Sequence, residues 1–342
     1  MTKLPGLPDE LVEDLVDAGS REHYVDAALY DHEYRRRRAD VTFYRELARK
    51  RMPAGGRVLE LGCGSGRVTI ALARDGHEVV AVDRSRTMLD RLRARIAALP
   101  GAVARRIEIV EGDLRRFDVG RARFPLAIAA FNVLEHLYTR GEVAACLAQV
   151  AAHLAPGGAF AFDVQLPDLA WLLRDPDKRW ARTRFTDPTS HRAMLYSTNH
   201  DYDPISQIVL IRLYYEPADG KGPTRIVKLS QRKFFPAELE ALLAHAGFRV
   251  AERYGDFGWQ PLDASAESQV IVAVPDRSAA RRGGALPSIE AVRSANLDEK
   301  MAFSDEDLRR VRSPSRNRLS TGISRRGASP RNRVQRSSTR KK

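Results

Sequence analysis

Residues Val58-Leu59-Glu60-Leu61-Gly62-Cys63-Gly64-Ser65-Gly66 join an apolar run to an acid and three glycines at alternate positions. Glycines let a backbone pass close to a ligand where any Cβ would collide. A strand entering such a turn, with a helix after it, sets backbone N–H groups and a helix N-terminus against a nucleotide. A second apolar run, Val79-Val80-Ala81-Val82, ends in Asp83, where a carboxylate can accept both ribose hydroxyls. The glycine spacing is G-x-G-x-G. A dinucleotide fingerprint needs glycine at position 67, where this chain has Arg67, and a P-loop needs a Gly-Lys-Ser/Thr that is absent. By residue type alone, Asp83 and Asp113 also suit strand ends or helix caps.

The G-x-G-x-G turn behind Glu60 resembles motif I of the class I S-adenosylmethionine-dependent methyltransferases. Three later stretches agree in order: the strand ending at Asp83, Glu111-Gly112-Asp113-Leu114, and the turn Leu154-Ala155-Pro156-Gly157-Gly158 before Ala159–Val164. The resemblance implies an α/β fold, a seven-stranded Rossmann-like sheet with a reversed final hairpin. It implies S-adenosyl-L-methionine as cofactor, held by Glu60, Gly62, Cys63, Gly64, Gly66, Asp83, Arg84, Met88, Asp113, Leu114 and Asn132. In the family an acid at the place of Asp113 reaches the adenine amine. Cys63 is expected to pack within the turn. The implied reaction moves a methyl group to a small-molecule acceptor, an amine nitrogen ahead of a hydroxyl, by in-line displacement and without a metal.

Residues 130–137 lack the Asn/Asp-Pro-Pro-Tyr/Phe signature of many enzymes that methylate base or glutamine amines. Asn132–Leu137 instead resembles the Asn-x-x-x-His-Leu segment of glycine N-methyltransferase and the matching stretch of the amino-sugar N,N-dimethyltransferases. In the latter group a histidine at the place of His136 is the candidate base for an ammonium, and an ordinary imidazole pKa of about 6.5 suits that task. As a residue alone, His136 equally suits a helix-start histidine that packs over a base or bonds a carbonyl. Glu135 reads as a solvated charge or as a first-turn helix charge. Arg38 stands at the spacing of the arginine that, in the glycine N-methyltransferase group, binds the cofactor's methionine carboxylate. It lies in the run Arg35–Arg38, which also suits a solvated helix face. Tyr30 and Tyr34, in Tyr-Asp-x-x-Tyr, occupy the segment that closes over the active site in this family. A tyrosine oxygen there is implied to lie near the sulfonium or the substrate amine.

These side chains need elements to place them. Residues 8–50 read as helices, one opened by Pro8-Asp9-Glu10-Leu11 and another running from Arg35 to Lys50. Strands near 57–62, 78–83, 106–111, 125–131 and 158–164 alternate with helical patterns near 66–75, 85–98 and 140–153, which implies a parallel sheet. Residues 166–234 form an insertion with two or three strand-like runs, His191–Tyr202, Gln207–Tyr215 and Arg225–Arg232, expected as an antiparallel lid. Trp171, Trp180, Arg184, His191, Tyr196 and Tyr214 are its candidate pocket residues. Core residues 51–165 resume at 235–276 with a Pro236 helix ending at Gly247 and strands near 248–254 and 268–274. Beyond Asp276 an Arg-, Ser- and Pro-rich stretch reads as a disordered tail.

Of 57 Lys and Arg, 13 follow Asp307 with no acid among them, so the remaining bases balance the 44 Asp and Glu. The excess of +13 belongs to the tail, and a nucleic acid or acidic partner is expected only through it. A nucleic-acid methyltransferase tethered by that tail, or a cofactor-binding module without catalysis, are the competing readings. Two cysteines, Cys63 and Cys146, exclude a disulfide framework. No long apolar run or signal core is present, which reads as a cytoplasmic, non-membrane protein of open oligomeric state.

Overall fold

The computed structural model describes residues 9–276, and every count below refers to those residues. The expected basic tail, 277–342, lies outside them. Helix α1 (Asp9–Gly19) passes through a 3-10 turn at Glu22–Tyr24 into α2 (Ala27–Tyr34) and α3 (Ala39–Arg51). The expected helix from Arg35 to Lys50 is therefore shorter. Arg35–Arg38 lie exposed between α2 and α3. Like charges three residues apart disfavour a helix. Asp40, in the first turn of α3, favours a start there.

The core runs β1 (Arg57–Leu61), α4 (Arg67–Arg74), β2 (Glu78–Asp83), α5 (Arg86–Ala97), the short α6 (Gly101–Ala104), β3 (Ile107–Glu111) and β4 (Phe124–Ala129). A 3-10 turn at Val133–His136, α7 (Arg140–His153) and β5 (Leu154–Gln165) follow. The insertion holds α8 (Leu169–Leu172), β6 (Trp180–Thr186), β7 (Ala193–Asp203), β8 (Ile208–Pro217) and β9 (Arg225–Arg232). Then α9 (Pro236–His245), β10 (Phe248–Tyr254) and β11 (Ser268–Pro275) close the chain of elements.

Seven strands form one sheet in the order β10-β11-β5-β4-β1-β2-β3. The pairs β1/β2, β1/β4, β2/β3 and β4/β5 are parallel, whereas β11 runs antiparallel to both β5 and β10. That is the reversed final hairpin. Strand order changes direction between β1 and β4, and in open parallel sheets the crevice beyond such a point takes the ligand. Both faces of the sheet are covered. Leu59, Leu61, Val82, Phe160 and Phe162 pack with α7 and α9 residues on one face, and Val58, Val79, Ala81 and Ile128 with α3 and α4 residues on the other. Strands buried on both faces read as continuous apolar runs, which is why their sequence signal is strong.

Two departures from expectation have local causes. Strand β5 begins at Leu154, not 158: the Pro156–Gly158 stretch is a register irregularity within the strand, with Gly157 at φ +80°. The insertion sheet has four strands, β6-β7-β8-β9, and β6 was not anticipated. Most β6 side chains are exposed on a sheet edge, so no apolar alternation marks it. The sheet packs on the N-terminal helices through Val12, Ile208 and Leu210, and through Leu29, Val209 and Ile211. Among the described residues no helix is long and apolar enough to cross a membrane.

Candidate active site

The turn after β1 is built around its own β2 neighbour. Gly62 and Cys63 donate their N–H groups to the Val82 carbonyl at 2.8 and 3.0 Å. Gly62 has φ +68°, and a Cβ there would lie 2.5 and 2.6 Å from the two methyls of Val133. The loop thus requires glycine for conformation and for space. Asp83 accepts from the N–H of Gly64 at 2.7 Å and of Ser85 at 2.8 Å, one on each oxygen. A carboxylate offers about four lone-pair sites, so about two remain for a ligand. Burial raises the Asp83 pKa.

A cavity of about 480 Å³ opens at these strand ends. It gathers Tyr30, Gly62, Gly64, Asp83, Arg84, Met88, Asp113, Leu114 and His136 from the expected set. A pocket of about 30 Å³ adjoins it through Tyr30, Gly62 and Gly64, and adds Glu60, Cys63 and Arg67. Tyr34, Arg38, Gly66 and Asn132 line neither. Arg38 is exposed at the start of α3. Tyr34 packs on Phe131, with ring centroids 4.8 Å apart, and its hydroxyl meets His23 Nε2 at 3.1 Å. Asn132 serves through its backbone: Phe131 and Asn132, at φ +70° and +59°, donate to Asp163 at 2.8 and 3.1 Å, while Tyr44 Oη donates to the same carboxylate at 2.6 Å. Asp163 on β5 thereby fixes the strained loop that carries Phe131 and Val133 into the cavity wall.

Four residue stretches therefore converge where the sequence motifs placed them, on the carboxyl ends of β1, β2 and β3 and on the loop after β4. Residues 58–158 match the family described as Methyltransferase domain. The cypemycin N-terminal methyltransferase of a Streptomyces species is 30% identical over 225 residues, 64% of this chain and 84% of that protein. The chain belongs to the S-adenosylmethionine-dependent methyltransferases. The dTDP-3-amino-3,4,6-trideoxy-alpha-D-glucopyranose N,N-dimethyltransferase of Streptomyces venezuelae is 29% identical, over 62% of this chain and 83% of its own. Among solved structures, the CcbJ methyltransferase of Streptomyces caelestis matches with a TM-score of 0.58 at 31% identity, covering 70% of this chain and 94% of its own.

The cofactor of this methyltransferase is S-adenosylmethionine, and the cavity's donor set suits it. Asp83 has lone pairs to spare for ribose, Met88 and Leu114 give apolar surface for a base, and the Gly62–Gly64 backbone admits close approach. Glu60 is buried and accepts only from Thr69 Oγ1, at 2.6 Å, among the described residues. Burial pushes its pKa up to about 8, against the pull of Thr69 and Arg67. Arg67 pairs with the buried Asp40 and lies 4.9 Å from the Phe131 ring centroid. Asp113 is forked by Arg115 through two bonds of 2.7 Å. Burial raises the Asp113 pKa, but Arg115, through its side chain and its N–H, outweighs burial and holds it below the usual range.

Several lining residues carried no motif. Asp17, Ser20, Arg21, Tyr24 and Val25 cover the cavity from the N-terminal segment. Tyr24 Oη lies 2.6 Å from His136 Nε2, and Tyr138 Oη lies 3.2 Å from His136 Nδ1. Burial, with Arg84, His23 and Lys233 near it, pushes the His136 pKa down to about 3, so the ring is neutral at physiological pH. Glu135 departs from expectation. It is buried, accepts from Gln165 N–H at 2.7 Å and pairs with Lys233 Nζ at 2.7 Å. It does stand in the first turn of the 3-10 turn, but it is not solvated. The insertion candidates Trp171, Trp180, Arg184, His191, Tyr196 and Tyr214 line neither this cavity nor the next. That second cavity, of about 810 Å³, shares Asp17, Ser20, Arg84, Arg115 and His136 with the first, and is bounded by Ile205–Ile208 and Arg232 of the insertion.

Proposed function

We propose that this methyltransferase methylates an amine nitrogen of a small acceptor that enters through the second cavity. The observation that carries this reading is the His136–Tyr24 pair on the wall of the cofactor cavity, with His136 shared by both cavities. A polar pair at that wall can hold an N–H-bearing acceptor beside the donor. The named N-terminal and N,N-dimethyl activities of two relatives support the same choice.

When bound, S-adenosylmethionine supplies an electrophilic methyl group on a sulfonium. In this reading Asp83 takes the ribose hydroxyls, and Met88 and Leu114 flank the adenine. Asp113 reaches the adenine amine once Arg115 shares its fork. Glu60 and Arg67 face the two charged ends of the methionine part. Arg67 replaces Arg38 in that role, because only Arg67 borders the pocket. The N-terminal residues 17–25 exclude water above the site. Positioning of this kind can supply about 7–11 kcal/mol of the barrier.

The test is methyl uptake by mass spectrometry with the full chain, S-adenosylmethionine and paired probes: 3-amino-3-deoxyglucose against glucose, and triglycine against its N-acetyl form. Methylation of the free amines alone is expected. Uptake only by the hydroxyl probe, or by none, refutes the amine assignment.

A further inference from the structure

Hydrogen bonds behind His136 have a direction that can be worked out from one end. Ser230 Oγ lies 2.7 Å from the Val16 carbonyl, which can only accept, so the serine proton points to Val16. Tyr138 Oη lies 2.6 Å from Ser230 Oγ and 3.1 Å from the Ser230 carbonyl. With the serine proton committed, Tyr138 donates in either case. Its own proton is then used, and His136 Nδ1 at 3.2 Å is the donor to its oxygen. A neutral imidazole with a proton on Nδ1 has a lone pair on Nε2. The partner of that lone pair is Tyr24 Oη at 2.6 Å, which therefore donates to it. One backbone carbonyl sets four groups.

The consequence falls on the cavity. Tyr24 spends its proton inward and keeps its oxygen lone pairs, with no other hydrogen bond to them among the described residues, on a side chain that lines the cofactor cavity. His136 has both ring nitrogens occupied. We propose that Tyr24 Oη, and not His136, receives the acceptor's N–H, and that His136 acts as a positioning residue locked in its Nδ1–H form by the Tyr138–Ser230–Val16 chain. This rests on the amine reading above. The acceptor is then bound as a free primary or secondary amine, one N–H on Tyr24 Oη and the lone pair turned to the methyl carbon. That lone pair forms the C–N bond, the pair of the broken C–S bond stays on sulfur, and the positive charge ends on nitrogen. The resulting ammonium sheds its proton to water on release, so His136 changes its proton count at no stage.

Two measurements on the full chain test this. Long-range proton–nitrogen spectra of histidine-labelled protein, with His136 assigned through His136→Gln, should show Nδ1–H and a bare Nε2. In Tyr138→Phe, which alters the wall of the second cavity but not of the cofactor cavity, the lock is gone and a mixture of tautomers is expected. Tyr24→Phe leaves His136 Nε2 without its donor, so it should melt lower. It should still fold and keep its S-adenosylhomocysteine affinity, while kcat/KM for 3-amino-3-deoxyglucose or triglycine, measured below the melting range, falls about 10- to 100-fold, the loss of one hydrogen bond to a reacting polar group. A proton on Nε2 in the wild type, or unchanged kcat/KM in Tyr24→Phe, overturns the proposal. If the wild type methylates neither amine probe, the amine reading fails and takes the Tyr24 assignment with it, even with the Nδ1–H tautomer in place. If it methylates them and only the Phe variant is unimpaired, the Tyr24 assignment alone falls.

Discussion

Lys233→Met probes the ion pair that anchors the His136 turn. The Lys233 and Glu135 side chains are 2% and 0% exposed and 2.7 Å apart, and Lys233 Nζ also donates to Gln165 Oε1 at 2.5 Å and Gln231 Oε1 at 3.1 Å. Methionine fills similar space but leaves the Glu135 carboxylate with the Gln165 N–H and no counter-charge. Breaking one side of such a buried pair costs about 3–5 kcal/mol. Total stabilities run about 5–15 kcal/mol, so the variant should still fold. Burial already raises the Glu135 pKa and Lys233 opposes that rise. Without Lys233 the carboxyl takes up a proton more readily, and the loss should shrink as pH falls. Glu135→Gln with Lys233→Met removes both charges and should recover most of the loss. Urea unfolding followed by tryptophan fluorescence, at neutral and acid pH, measures Lys233→Met, Glu135→Gln alone and the double variant. A Lys233→Met loss below about 1 kcal/mol, the range of an exposed pair, refutes the reasoning, as do strictly additive losses in the double variant.

Three further outcomes follow from the cofactor cradle. Gly62→Ala should cost about 1–3 kcal/mol of stability and weaken S-adenosylhomocysteine binding, with partial rescue by Val133→Ala, because its Cβ would meet the Val133 methyls; no rescue in calorimetry would place the defect in the backbone alone. Arg67→Gln in an Asp40→Asn background should weaken the same binding, whereas Arg38→Gln should leave it unchanged; the reverse pattern restores Arg38 to the methionine carboxylate. Glu60, held at about 8 against an ordinary 4.5, is mostly protonated at pH 7 in the free chain. Its raised pKa adds stability below about pH 4.5 that is lost as pH rises through about 8. A cationic ammonium beside it favours the ionised form, so S-adenosylmethionine binding at pH 7 should release a proton, read from calorimetry in buffers of different ionisation enthalpy. Proton uptake, or none, contradicts that contact.

The sheet was legible because its central strands β1, β2, β4 and β5 are mostly buried on both faces, and β1 and β2 run into the motif residues Gly62 and Asp83. Helix α5 starts from Ser85, a residue type that favours helix caps, and its hydroxyl accepts from Met88 N–H. What escaped depends on contacts made across long separations. Glu135 reads as an ordinary first-turn acid until Lys233, 98 residues away, meets it in the core. Tyr24 stands in no motif, and its meaning comes from His136, 112 residues on. Arg67 and Arg38 are indistinguishable by type, and only the path of α4 turns one of them toward the glycine loop. Strand β6 failed for another reason: an exposed edge strand has no buried face to impose a period of two.

The most direct test of the cradle is a calorimetric titration of the full chain with S-adenosylhomocysteine, wild type against Asp83→Asn. One site in the wild type is expected, weakened about 10- to 100-fold in the variant, which keeps the shape of Asp83 but loses its charge and an acceptor. A wild type that binds nothing, or a variant that binds equally well, would contradict the assignment of the nucleoside to the crevice between β1 and β2.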